Sequence, residues 1–240
     1  MYIKGIKCWL YRACMIIFCL LCAPQTIRAD LTPPPHPIDK GTIGINGFLY
    51  PIMDDYQVGS VLSRHVISPR CLMTMEYGAL DGLSFEGGVG LGNIGSLWFI
   101  ENGVGNTFST QFGIVLLGRV KGRILRSKNI SIGYGVQGLW MPFLHSKSGY
   151  PEGDIQWFEY NIFSGIYGEG GAFRPYIDIF WTQTFGKLSL RGINEDKSIR
   201  EDDPIGGVFG AEYWWNKFSL GYGVIFRNDV TIGIYISFIL

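Results

Sequence analysis

The sequence predicts an all-β fold: a single antiparallel, up-and-down transmembrane β-barrel of about ten strands, with eight and twelve as the adjacent even counts. Three observations predict it. Charged residues make up only 17% of the chain, while aromatics reach 15% and glycines number 34; a soluble domain carries charge on about a quarter of its residues. Mean hydropathy is positive, at +0.18, yet beyond residue 30 no uncharged apolar run approaches the roughly 18–20 residues that a membrane-spanning helix needs. The apolarity is spread instead in period-2 alternation between turn signals.

Residues 1–29 read as a cleaved signal peptide and are set aside from the fold argument. Lys4, Lys7 and Arg12 form a basic start, Ala13 to Ala23 an apolar stretch too short to span stably, and Ala29 a small residue at the cleavage position. Cys8, Cys14, Cys19 and Cys22 leave with this segment, so Cys71 remains alone and forms no internal disulfide. Sixteen basic residues then face twenty acidic ones, a net charge of −4 for residues 30–240. That balance offers no basic face for nucleic acid. Residues 30–41 contain the run Leu31-Thr32-Pro33-Pro34-Pro35-His36-Pro37. Proline fixes φ and removes a donor, so this is neither a central strand nor a helix interior. It reads as a lead-in on the periplasmic side, and the barrel occupies 42–240.

The strands are expected at about 42–52, 69–78, 82–92, 107–125, 129–140, 155–167, 173–184, 205–215, 217–227 and 230–240. Ile130, Ile132, Tyr134 and Val136 alternate with Ser131, Gly133, Gly135 and Gln137. Phe218, Leu220, Tyr222 and Val224 alternate with Ser219, Gly221, Gly223 and Ile225. In a soluble sandwich or lipocalin-like barrel the apolar face would point to the core; in a membrane barrel it faces lipid and the small or polar face lines the lumen. Glycine arbitrates. It weakens an ordinary strand, but it relieves crowding on the concave wall of a narrow barrel, where Gly88, Gly90, Gly133, Gly135, Gly221 and Gly223 fall. Connections are expected to alternate between short periplasmic turns and long external loops at 53–68, 93–106, 141–154 and 185–204. Trp98, Trp140, Trp157, Trp181, Trp214 and Trp215 read as interfacial girdles, with sugar binding as the functional alternative.

The same alternation places Glu76, Glu86, Arg119, Lys121, Arg123, Glu159, Asp178, Glu212 and Arg227 on the inner face. Charges in a narrow lumen must pair or be hydrated. Glu76 and Glu86 lie on facing arms of one hairpin and repel unless cations join them. Arg119, Lys121 and Arg123, on the next strand, are the expected partners. The lumen therefore reads as a salt-bridge plug, or alternatively as a charged constriction or gate.

The last strand carries a family resemblance. Thr231, Gly233, Ile236 and Phe238 fill the pattern polar, any, Gly, any, any, hydrophobic, any, hydrophobic. This resembles the β-signal of bacterial outer-membrane proteins, although Ile239 and Leu240 follow Phe238 where that pattern ends on an aromatic. The hairpin Met73-Thr74-Met75-Glu76-Tyr77-Gly78 and Leu83-Ser84-Phe85-Glu86 is similar to hairpins of small outer-membrane transporter-like barrels. The paired lumen charges resemble those of the small outer membrane protein A class. The resemblance implies a porin-like protein of the bacterial outer membrane, with outer-membrane lipid and the barrel-assembly machinery as partners.

A hydrolase is the rival reading. Some small outer-membrane barrels are lipid A deacylases or phospholipases built on a Ser–His pair with an acidic partner. The candidate is His145-Ser146-Lys147-Ser148 with Glu152 nearby. The deacylase pattern has Ser two residues after His, followed by Asn; here Lys147 holds that place and Gly149 follows Ser148, so no catalytic residue is assigned. His36 falls in the lead-in and His65 in an expected loop. No His–carboxylate cluster has metal-ligand spacing, and glycine pairs such as Gly87-Gly88 sit in strands rather than before helices. No cofactor, metal or nucleic acid is expected.

Overall fold

A computed structural model describes residues 37–101, 104–191, 196–202, 204–227 and 230–240. Residues 1–29, expected as a signal peptide, most of the Pro-rich lead-in and His36 lie outside the described residues. Among the described residues no helix occurs. The strands are β1 (Ile43–Val58), β2 (Val61–Leu80), β3 (Leu83–Gly92), β4 (Leu97–Glu101), β5 (Val104–Phe108), β6 (Gly113–Arg126), β7 (Ile130–His145), β8 (Gly153–Gly168), β9 (Phe173–Leu190), β10 (Lys197–Glu201), β11 (Ile205–Trp215), β12 (Phe218–Phe226) and β13 (Val230–Ile239).

Ten of them make a closed antiparallel wall in the order β1-β2-β3-β6-β7-β8-β9-β11-β12-β13, and β13 returns to β1 with Ile45 opposite Phe238 and Leu49 opposite Ile234. Closure leaves no sheet edge with unpaired N–H and C=O groups, the condition for a sheet to cross lipid. β12 and β13 are short, at 9 and 10 residues. Beyond their tip, β10 bridges the wall by pairing with β9 on one side and β1 on the other. β4 and β5 form a separate hairpin; Trp98 N–H donates to Ser63 Oγ at 2.8 Å, which ties it to the upper part of β2.

The direction of the alternation is set by exposure. On β2, Met73 and Met75 are 67% and 61% exposed while Leu72, Thr74 and Glu76 are buried. Ile177 and Ile179 on β9 face outward while Tyr176, Asp178 and Phe180 are buried. The outward band runs from Ile67 to Tyr77 along β2, about 25 Å measured along the barrel axis after tilt, which matches a bilayer's hydrocarbon. A continuous apolar belt of this kind would be ruinous in water. The fold is a membrane-spanning barrel, with apolar side chains outside and small or polar ones inside.

Inner-face glycines make room for inner-face rings. A Cβ on Gly135 would fall on the Phe163 ring and 2.8 Å from the Val120 carbonyl oxygen. Gly221 lies in the same way against the Tyr235 ring, and Gly210 against that of Tyr176. Bulky lumen residues are accommodated because the strand beside them carries no side chain.

Several boundaries differ from the sequence reading. The segment 53–68, expected as a loop, is the upper part of the β1–β2 hairpin, which turns at Gly59, φ +62°. His65 therefore lies in β2. Asp54, Ser63 and Ser68 of the same segment are buried: their polarity is that of a lumen wall and not of a solvated loop. The stretch 93–106 contains β4 and the start of β5, β7 and β9 run further outward than expected, and β10 lies inside 185–204. Trp157 is not a girdle residue; it is 1% exposed and meets Tyr56 edge-on, ring centroids 4.7 Å apart. It shares its phase with Glu159, two residues on.

The assigned faces make a directional prediction. Ile162, half-way along β8 and 50% exposed to lipid, should lose about 2–4 kcal/mol of stability on Ile162→Arg. Urea unfolding in lipid vesicles measures it, and a negligible loss would reverse the inside–outside assignment.

Candidate functional site

β1, β2, β3, β6 and β7 stand side by side, and each contributes inward polar residues to one cluster in the half of the lumen nearer the β2–β3 and β6–β7 turns. The register makes Glu76 and Glu86 direct cross-strand partners and sets Arg119 opposite Glu86 and Lys121 opposite Ser84. Two carboxylates at that separation repel, and the cations of β6 resolve the conflict. Lys121 Nζ lies 2.6 Å from Glu76 Oε2 and 3.5 Å from Glu86 Oε2, and so bridges the two. Arg119 Nη1 lies 2.7 Å from Glu86 Oε2.

The remaining oxygens are also satisfied. Glu86 Oε1 accepts from Asn46 Nδ2 at 3.1 Å and from the Thr74 hydroxyl. Glu76 Oε1 accepts from the Ser84 hydroxyl at 2.5 Å and from the Ile38 N–H at 3.4 Å. Arg119 Nε donates to Gln137 Oε1 at 2.9 Å, and the guanidinium sits 5.5 Å from the centroid of the Phe48 ring. Every charged member is buried. A buried network with complete partners is rigid, whereas a partial one is costly.

Arg123 does not join this cluster. A register shift between Arg123 and Leu125 perturbs the end of β6. The Arg123 side chain lies at the mouth formed by the short turns, 3.9 Å from Glu169 in the β8–β9 turn. Glu169 is shared with Arg126, at 2.6 Å. The lead-in also reaches the mouth: Ile38 is buried, Gly41 N–H donates to the Gly78 carbonyl at 2.7 Å, and Asp39 lies 3.4 Å from Arg126. A Cβ on Gly78 would overlap the Asp39 carbonyl, so only glycine lets the lead-in lie flat on β2.

Glu212 and Asp178 stand on the opposite wall. Glu212 accepts from the Tyr167 hydroxyl and, at 3.4 Å, from the Tyr235 hydroxyl. Asp178 is 1% exposed, and neither carboxylate oxygen has a hydrogen-bond partner among the described residues. Between the two walls, Glu76, Lys121, Glu212 and Tyr235 help to line a cavity of about 30 Å³, room for a water or two.

A second crossing lies toward the opposite end of the barrel. Arg70 Nη2 of β2 reaches Glu159 Oε2 of β8 at 3.0 Å, spanning strands that are not neighbours. Tyr56 and Trp157 meet across the same level. Arg227 Nη1 lies 2.6 Å from Asp54 Oδ2, and its guanidinium also contacts Glu201, which accepts from the Thr184 hydroxyl at 2.8 Å. The sequence reading missed Arg70, Asp54 and Glu201. Arg70 shares the phase of Thr74 and Glu76, and extending that alternation outward along β2 would have found it. Thr231, Gly233, Ile236 and Phe238 lie in β13: Thr231 and Gly233 face inward, while Ile236 and Phe238 are exposed to lipid.

The hydrolase candidate is an open external cavity lined by His145, Ser146, Glu152, Asp154 and Arg191. His145 Nδ1 contacts Asp154, but both side chains are more than half exposed. Ser146 Oγ accepts the Gly153 N–H at 3.3 Å, and Glu152 is paired with Arg191 at 2.7 Å. Nearby, Lys187 at 2.6 Å and the Ser189 hydroxyl hold the exposed Asp196 carboxyl below its ordinary value.

Removing one partner of the buried network leaves the other charge uncompensated, so Arg119→Ala should cost about 3–5 kcal/mol. Arg123→Ala, at the mouth, should cost about 1 kcal/mol or less. Denaturant titration of the refolded proteins measures both. Equal losses would show that the inner cluster is no more than a surface pair in strength.

No protein-family model matches the chain, and no curated protein matches it by sequence. Among solved structures it is similar to an outer membrane channel of Pseudomonas putida F1, with 10% identity, TM-score 0.49, and coverage of 88% of this chain and 100% of that one. It is also similar to the toluene transporter TbuX of Ralstonia pickettii, with 11% identity, TM-score 0.39, and coverage of 84% and 90%. The outer membrane protease OmpT of Escherichia coli gives 9% identity, TM-score 0.33, and coverage of 83% and 91%. At these identities the likeness is one of outline, and the lumen described above is this chain's own.

Proposed function

We propose that the chain is a bacterial outer-membrane barrel with a narrow, side-chain-filled lumen that serves small solutes as a closed, gated channel. The observation that carries this is the ion network of Glu76, Glu86, Arg119 and Lys121, which occupies the periplasmic half and leaves a cavity of about 30 Å³. A lumen of ten strands is only slightly wider than one filled by its own side chains, and a wall built only for stability needs no charges inside it. Apolar packing of the same volume is as stable as a buried ion pair or more so. Charged groups that hold one another across several strands can also release one another, and that supports a gate in place of a permanent core. The lead-in at Ile38 reinforces the closure by donating to Glu76.

The outer-membrane placement is supported by the apolar belt, the basic and apolar leader at Lys4 to Ala29, and the C-terminal strand Thr231 to Phe238. β13 closes the wall against β1, so its recognition by an assembly machinery would act on the strand that completes the barrel. The hydrolase reading has less support, because the His145–Asp154 pair stands in solvent and Ser146 Oγ accepts a backbone N–H.

The full-length precursor should be recovered in the outer-membrane fraction, trimmed near Ala29, and should migrate faster on gels when unheated than when boiled. Recovery as a soluble periplasmic protein would overturn the placement.

Conductance tests the gate. In planar bilayers the refolded parent should be mostly silent with rare openings, and Arg119→Ala/Lys121→Ala should open longer and conduct more. A barrel that stays silent in both forms would be a structural or surface protein.

A further inference from the structure

The charges of the inner half do not balance. Among the described residues, the periplasmic cluster and the wall facing it hold four buried carboxyl groups, Glu76, Glu86, Asp178 and Glu212, against two buried cations, Arg119 and Lys121. Both cations are committed to Glu76 and Glu86. Glu212 has hydroxyl donors from Tyr167 and Tyr235. Asp178 has no donor for either oxygen, although it is buried and inward-facing.

The surroundings of Asp178 are arranged to admit it. In the register it lies opposite Gly165, and a Cβ there would fall on Asp178 Oδ1. The next inward position along the same row, on β7, is Gly133. Two adjacent strands thus give up side chains beside one carboxylate. One row toward the periplasm, Ser131 is fully buried, and its Oγ also lacks a partner. Three buried oxygens on inward-facing residues are therefore unpartnered among the described residues, and the cation at the far end of the same row, Arg123, opposite Gly133, is turned to Glu169 at the mouth. Burying an anion without compensation is prohibitive, and a ring of uncompensated oxygen acceptors is how narrow pores favour cations.

We propose that Asp178, buried on the inner face with no partner for its carboxylate among the described residues, forms a binding site for a small monovalent cation, and that the lumen selects cations over anions. The selectivity rests on the channel reading above; the site itself does not. Asp178 sets the sign of the local field, no side chain on Gly165 or Gly133 stands beside it, and Glu212, further along the same wall, carries negative charge to the cavity it shares with Glu76. No covalent chemistry is involved.

Two measurements on the full chain test this. The first is the reversal potential of the refolded protein in planar bilayers under a potassium chloride gradient. The parent should prefer potassium, and Asp178→Asn, which keeps shape and removes charge, should move the reversal potential toward zero. Asp196→Asn, on an exposed external segment, should leave it in place. A conducting barrel whose reversal potential is the same with and without Asp178→Asn overturns the selectivity while leaving the channel reading intact. The second needs no conduction. Potassium chloride should raise the temperature at which the folded gel band is lost, relative to N-methylglucamine chloride at equal ionic strength, and Asp178→Asn should abolish that difference. Equal melting of the parent in both salts overturns the cation site, even if the barrel proves silent and the channel reading fails separately.

Discussion

The meeting of β13 with β1 is the constraint on which the rest of this protein depends. In lipid no water satisfies an open sheet edge, so the wall must close on itself. Closure after ten strands fixes a narrow bore, and a bore of that size is filled mainly by side chains. Once the interior is dry and narrow, every charge placed in it needs a partner. The pairing of Glu76 and Glu86 with Lys121 and Arg119 follows from that sequence of requirements, as does the reach of Arg70 across the lumen to Glu159.

Much of this was legible in the sequence because a period of two carries both position and direction. Glu76, Glu86, Arg119, Lys121, Asp178 and Glu212 could be assigned to one face by counting along their strands. What that counting could not supply was depth. Arg123 has the right phase but ends at the mouth, because the disturbed register at the end of β6 and the presence of Glu169 decide its partner. Nor could it supply the neighbour across the lumen: Arg70 meets Glu159 only because of the curvature and stagger of the closed wall, which no local pattern encodes.

The loops were the least legible part, for a physical reason. Asp54, Ser63 and Ser68 look like a solvated connection, since polar residues outside an apolar strand ordinarily mean water. In a barrel, polar residues also mean lumen, and the two cannot be separated by composition. The turn at Gly59 was the better signal, because a positive φ marks where the chain reverses. Trp157 was misplaced by the mirror-image error: an aromatic near the rim suggests a girdle, but its parity with Glu159 sends it inside.

The ion pairs of this barrel fall into two populations that the surrounding medium treats differently. Glu76–Lys121, Glu86–Arg119 and Arg70–Glu159 are enclosed, whereas Arg191–Glu152, Lys187–Asp196 and the Asp39–Arg126 contact at the mouth stand largely in solvent. Mobile counterions screen exposed charges over a Debye length of about 10 Å at moderate salt, and enclosed ones far less. A rise in ionic strength therefore loosens the segments at both ends of the barrel while the inner contacts hold. The two ends of the barrel can respond to ionic strength without the wall responding with them.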